Sequence, residues 1–249
     1  MRQFLPAWTR RRLDPAQRYG LRLTLFALAI LLVALPFSFL LTQVLVEGPV
    51  VRFDSAAALE FPDLIRDHVW LVSAMHTISF LGKPIFLFVV IAPAVLYLLS
   101  KGLLRLAVFL TVTPLLGGAI DTVVKVAVDR ERPRMDDPLA SAMGKSFPSG
   151  HSMSSLVAYG ALLLVFLPVL SRRARGWAAV AATMLVLAIG GSRLFLGVHF
   201  ISDVIGGFVL GAAWLTAATA AFSIWRVERG EAPVDVHEGL APEAAEEMA

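Results

Sequence analysis

Long apolar runs with almost no charge dominate this chain. Leu23–Val46 is broken only by mildly polar residues and Pro36, and further runs follow at Pro84–Ser100, Leu106–Val128, Ser152–Leu170, Trp177–Gly191 and Phe200–Trp225. Crossing a bilayer takes roughly 17–25 apolar residues in helical form, because the hydrocarbon leaves backbone polar groups no partner outside their own segment. The expected fold class is therefore all-α: a polytopic membrane protein built as a bundle of six transmembrane helices. The balance of residue types agrees. Of the 249 residues 57% are apolar and only 16% charged, against about 25% charged in an ordinary soluble domain. One soluble core cannot hide that surplus. With no cysteine in the chain, disulfide frameworks, thiolate zinc sites, iron–sulfur clusters and cysteine nucleophiles are excluded together.

Three segments are expected. Residues 1–21 mix Phe4, Leu5 and Trp8 with five arginines, the pattern of a basic segment lying on a membrane surface. Residues 22–226 hold the six spans. The first is expected to be retained, being too long for a signal-peptide core and lacking a small-residue cleavage site after it. Between it and the second span, Glu47–Gly82 reads as a mixed loop ending in a short apolar stretch, His68–Leu81, expected as an interfacial or re-entrant helix. Residues 227–249 carry seven acids against Arg229 and are expected to be a disordered, solvated cytoplasmic tail.

Basic residues orient the bundle. Thirteen of the 22 lysines and arginines fall in the tails and in the loops after the second and fourth spans. The positive-inside rule then places both termini in the cytoplasm, in the inner (plasma) membrane of a cell. The net charge of +9 over residues 1–226 is read as topology and contact with anionic lipid headgroups, not nucleic acid. In the last span, Gly207 and Gly211 form a Gly-x-x-x-Gly spacing. It suits either a dimer seam or close packing within the chain, and leaves the oligomeric state open.

Ionisable residues beside membrane spans are costly and mark candidate sites. Three clusters stand out. Lys125 and Arg132 close the third span seven residues apart, two helical turns and so one face, with Pro133 ending the helix. Phe147-Pro148-Ser149-Gly150-His151 opens the fourth span, with Ser149 as N-cap and Gly150 allowing close approach of a ligand to unpaired helix-start amides. Ser192-Arg193 and His199 to Asp203 lead into the sixth, the last pair four apart on one helical face. With six spans, all three clusters fall on the non-cytoplasmic side and can build one site.

Lys125, Arg132 and Arg193 with helix-start amides describe a phosphoryl pocket. The two histidines add nucleophile and acid–base capacity, and a carboxylate four residues from His199 can hold its Nδ1 proton, freeing Nε2. No metal or other cofactor is expected, because three cations repel a divalent ion and no third ligand has suitable spacing. Asp121, one turn before Lys125, is expected to neutralise that buried cation. Arg130, Asp129, Glu131, Arg134, Asp136 and Asp137 read mostly as solvated loop charges. His68 and His76 read as interfacial, and Trp70, Trp177, Trp214 and Trp225 as interface or packing residues.

The ordered trio Lys-x6-Arg-Pro, Pro-Ser-Gly-His and Ser-Arg-x5-His-x3-Asp, at residues 125–133, 148–151 and 192–203, resembles the type 2 phosphatidic acid phosphatase superfamily of integral membrane lipid phosphatases. The resemblance implies that His199 attacks phosphorus and becomes phosphohistidine with Asp203 orienting it. It implies that His151 protonates the leaving alkoxide and then activates water. Lys125, Arg132, Ser149, Gly150 and Arg193 would hold the phosphoryl oxygens. The implied partners are membrane lipids and a lipid phosphate or diphosphate substrate, of the phosphatidic acid, phosphatidylglycerol phosphate or undecaprenyl diphosphate kind. Two alternatives stay open: a lipid phosphotransferase of the same superfamily, and a transporter or channel for an anionic substrate.

Overall fold

The computed structural model describes Leu31 and residues 35–134 and 138–248. The basic N-terminal segment, the first part of the Leu23–Val46 run and Asp136 and Asp137 lie outside the described residues. Helices follow one another as α1 (Leu35–Leu45), α2 (Pro49–Asp63), α3 (Val69–Phe80), α4 (Pro84–Ser100), α5 (Leu104–Val128), α6 (Gly150–Phe166), α7 (Arg172–Phe195), α8 (Ile201–Glu228) and the short α9 (Ala245–Met248). No strand occurs among the described residues.

Helices α5, α7 and α8, and α6 with its continuation to Val169, are each long and apolar enough to cross a membrane. Helices α3 and α4 meet that test only together, bent by 47° at Leu81–Lys83. Among the described residues this gives four spans, or five if the bent pair is one. Pro84 enters the first turn of α4, where its missing N–H costs nothing. Large apolar side chains such as Leu115, Val123, Val126 and Met184 point outward from these helices, as in a multi-pass membrane protein. The fifth run, expected as Trp177–Gly191, is longer than its hydropathy suggested. Ser171 caps the helix by accepting from the Ala174 amide, and α7 then continues through Arg193.

Helix α6 is the hub, packing against α8, α5, α7 and α4. Its buried positions are mostly small: Ser152, Ser155, Ala158 and Ala161. Gly207 and Gly211 of α8 meet it directly, since a Cβ on Gly211 would sit 3.2 Å from the Met153 carbonyl and one on Gly207 would press on Ser149 and Ser152. The Gly-x-x-x-Gly spacing therefore serves this crossing inside the chain.

Two expectations need correction. The His68–Leu81 end of the Glu47–Gly82 stretch is helical as expected, forming α3, but the part before it, expected as loop, forms α2. Asp54, Ala58 and Pro62, four apart, form the buried face of α2 toward α7 and α8. A carboxylate stands where an apolar residue would complete the helical pattern, which hides the amphipathic repeat. The acidic tail is also packed instead of solvated. Val234, Leu240, Ala241, Ala244 and Met248 are buried with Leu98, Leu106, Leu110 and Phe222, and Arg226 donates to both carboxylate oxygens of Glu243.

Candidate active site

The site forms where the ends of α5 and α7 meet the starts of α6 and α8. Helix α5 stops at Val128 because Asp129 turns left-handed, φ 56°, a conformation Asp tolerates better than most residues. The excursion that follows closes on itself through the Ser146 amide, which donates to the Arg130 carbonyl at 2.8 Å. Arg132 lies in this non-helical segment, so it does not share a helical face with Lys125. The early stop at Asp129 overrides the expected stop at Pro133. The Arg132 guanidinium instead pins the loop, donating to the carbonyls of Met143, Gly144 and Lys145 at 3.0–3.2 Å. Its Nη1 reaches across to the Val198 carbonyl at 2.7 Å and His199 Nε2 at 3.0 Å.

His199 precedes α8 and so shares no helical face with Asp203 either. Gly197, at φ 70°, lets the chain turn between α7 and α8. Asp203 then sits three residues past the N-cap position, Phe200, and accepts from the Phe200 amide at 2.9 Å. The same oxygen, Oδ2, accepts from Ser146 and faces His199 Nδ1 at 3.3 Å. Both side chains are buried.

Ser149 occupies the N-cap position of α6 without capping it: its hydroxyl bonds no helix amide. Its own amide donates to the Asp203 carbonyl at 2.9 Å, which ties the start of α6 to the start of α8. Lys125 donates to Asp121 at 2.8 Å and to the Pro148 carbonyl, so the expected Asp121 pairing is present. A Cβ at Gly150 would stand 3.0 Å from Asp121 Oδ2 and 3.4 Å from Lys125 Nζ, so a larger residue there would crowd the ends of both side chains. Arg193 bonds Ser79 of α3, and His151 is within electrostatic range of Arg193, His199, Lys83 and Arg132.

Among the described residues, four buried side-chain polar atoms have no protein partner: Ser149 Oγ, His151 Nε2, Ser152 Oγ and Arg193 Nε. An unpaired buried polar group is costly and rare, yet three of these four belong to the predicted constellation. Two donors, an imidazole nitrogen and the nearby cations suit a small tetrahedral oxyanion. Burial pushes the His199 imidazole from 6.5 down to about 4. The hydrogen bond and charge of Asp203 oppose this, and the charges of Arg132 and Arg193 add to it. Burial also pulls the Arg132 guanidinium below its usual value, opposed by Asp203 and Asp121.

The eight predicted site residues thus gather where the starts of α6 and α8 meet the ends of α5 and α7. Sequence reasoning missed Arg130, Asp54, Ser146 and Ser79. Arg130, read as a solvated loop charge, is largely withdrawn from solvent between Asp203 and Asp54, its side chain 9% exposed. Only its position two residues before Arg132 hinted at this. Asp54 and Ser79 lie in a stretch with no motif, and Ser146 lies just upstream of one.

Comparison with known proteins places this arrangement. The chain is 36% identical over 187 residues to phosphatidylglycerophosphatase B of Bacillus subtilis, covering 72% of this chain and 88% of that one. It is 28% identical over 193 residues to lipid A 1-phosphatase of Rhizobium etli, covering 72% and 78%. Among solved structures, a transmembrane PAP2 type phosphatidylglycerolphosphate phosphatase from Bacillus subtilis superposes with a TM-score of 0.70 at 27% identity. That match covers 76% of this chain and 94% of that one. Residues 102–226, from the start of α5 to the end of α8, match the PAP2 superfamily, and on this evidence the chain belongs to it.

Proposed function

We propose that the protein is a membrane phosphatase that hydrolyses the phosphate monoester or diphosphate of a lipid at the non-cytoplasmic face of the inner (plasma) membrane. Residues 22–226 act as a six-span catalytic unit, the first span being the run from Leu23. The relatives named for phosphatidylglycerophosphate and lipid A 1-phosphate act on lipid phosphates, which supports the same substrate class here. Both termini lie in the cytoplasm. In support, Lys101, Arg105, Arg172, Arg173, Arg175 and Arg226 sit at the helix ends opposite the site. The polar residues gather at one end of the bundle, whereas a transport pathway would carry them through its depth.

The carrying observation is the hydrogen bond from Arg132 to His199 Nε2. A guanidinium only donates, so Nε2 is the acceptor and the imidazole proton is on Nδ1, facing Asp203. This is the tautomer a nitrogen nucleophile needs. In the reaction, Nε2 attacks phosphorus while the ester oxygen departs opposite it, taking a proton from His151. The Nε2–P bond leaves a phosphohistidine whose Nδ1–H stays on Asp203. His151 then removes a proton from water, the resulting hydroxide displaces Nε2, and phosphate leaves. Lys125, Arg132, Arg193, the Ser149 hydroxyl and the amides around Gly150 bind the non-bridging oxygens as charge redistributes.

The test is phosphate release from a panel of lipid phosphates and diphosphates by detergent-solubilised protein and its His199→Ala variant. Release by the wild type and none by the variant is expected. Equal release by both would remove His199 as nucleophile.

A further inference from the structure

A carboxylate on a surface-packed helix has no structural need to be buried, yet Asp54 of α2 is 1% exposed. It accepts from the Ser202 amide at 3.1 Å, from the Ser202 hydroxyl and from Arg130 Nη2 at 3.1 Å. Arg130 is equally committed. Its Nη1 donates to Asp203 Oδ1 and Ser202 Oγ, each at 2.7 Å, and its guanidinium carbon lies 4.1 Å from the Phe200 ring centroid. A continuous chain of polar contacts therefore runs from Asp54 through the largely buried Arg130 and Asp203 to His199. Burying three charges costs desolvation that a well-packed apolar face would avoid, and the hydrophobic positions of α2 would seat the helix without it.

We propose that Asp54 and Arg130 are positioning residues for the nucleophile, which makes the amphipathic helix α2 part of the catalytic apparatus. The proposal rests on the reading of His199 as nucleophile given above. Arg130 fixes Asp203 Oδ1, so the carboxylate cannot rotate away from the imidazole. It also places a positive charge beside the carboxylate that must stabilise the cationic imidazole of the phosphoenzyme. Arg130 alone would cancel that field. With Asp54 the trio keeps a net charge of −1, and the attraction survives. The other groups facing His199 are Arg132 of the loop after α5, Arg193 of α7, His151 of α6 and the neutral Ser146.

The test measures kcat, KM and the pH profile of phosphate release from dioctanoyl phosphatidic acid by the full chain in detergent. Asp54→Asn is expected to lower kcat about 10- to 100-fold, the range seen when an outer partner of a functional histidine is lost, with KM within about twofold. Removing a negative charge and removing a positive one should move the acid limb in opposite directions: Asp54→Asn lowers its midpoint and Arg130→Gln raises it. Glu60→Gln, on the same helix and away from the chain of charges, should match the wild type. A purely structural role would lower the yield of folded protein and leave kcat and the pH profile of the folded fraction unchanged, which would overturn the proposal. Should Asp54→Asn not fold, Arg130→Lys keeps the charge but loses the fork, and wild-type kcat there would overturn it equally. A dead His199→Ala beside a wild-type-like Asp54→Asn sinks this inference alone. No release by the wild type from any lipid phosphate or diphosphate of the panel above sinks the reading beneath it as well.

Discussion

Arg132 Nη1 stands 3.0 Å from His199 Nε2, on the side of the imidazole away from Asp203. Two neighbours of opposite character hold the two ring nitrogens in opposite roles, so the ring is a hydrogen-bond donor inward and an acceptor outward. The same cation marks where negative charge can gather next to the proposed nucleophile. Because its guanidinium also pins the carbonyls of Met143, Gly144 and Lys145, the loop between α5 and α6 and the His199 imidazole are held by one side chain.

This environment sets a pH dependence. In the proposed mechanism His199 must be neutral to attack, and burial depresses it from 6.5 to about 4 against the pull of Asp203. In the free enzyme, the acid limb of kcat/KM attributable to His199 is expected at about pH 4, with no loss of neutral nucleophile on lowering pH from 8 to 6. The linkage has a definite sign. Between pH 6.5 and 4 the unfolded chain takes up a proton that the folded chain refuses, so this contribution to stability is complete above 6.5 and lost as pH falls through 4. The check is kcat/KM from pH 3.5 to 8, corrected for the substrate's own ionisation. A limb at 6.5 would show a solvated imidazole.

The three motifs were legible in the sequence because each is local: Lys125, His151, Arg193, His199 and Asp203 carry their chemistry with their spacing. How they converge was not. Lys125 and Arg132 looked like one helical face, but the left-handed turn at Asp129 is a single-residue event that hydropathy cannot register. His199 and Asp203 likewise meet across a helix start, where Phe200 and not His199 holds the N-cap position. Asp54 and Arg130 were invisible for a different reason. Buried ion pairs between distant segments leave no period, and a charge on either residue alone reads as solvated. The tail misled through composition, its acids outweighing the few apolar residues that anchor it.

The crossing of α6 and α8 predicts a sharp contrast between two glycines. A Cβ on Gly207 would press on the Ser149 carbonyl and the Ser152 side chain, whereas one on Gly118 meets nothing within 4 Å. Gly207→Ala is expected to destabilise by about 1–3 kcal/mol through overpacking and to lower kcat by shifting Ser149 and His151. Gly118→Ala is expected to be neutral or to stabilise by up to about 1 kcal/mol through helix propensity. Thermal unfolding in detergent, read beside phosphate release, separates them. Chemical crosslinking should leave the oligomeric state of Gly207→Ala unchanged, since this seam lies within one chain.

The packed tail predicts a stability effect separated from catalysis. Leu240 is fully buried and its amide donates to the Leu164 carbonyl at 3.0 Å, joining the tail to the far end of the helix that carries His151. Leu240→Ala should cost about 2–5 kcal/mol, the range for a large-to-small change at a closed site. KM and the position of the acid limb should stay at their wild-type values, because Leu240 packs at the end of α6 away from His151. Arg226→Ala should act in the same direction, since its guanidinium holds the Leu240 and Ala232 carbonyls as well as Glu243. Measuring Tm and kcat/KM of both variants decides the point. A raised KM in either would mean that the tail reaches the site through α6, and an unchanged Tm would mean that it packs too loosely to matter.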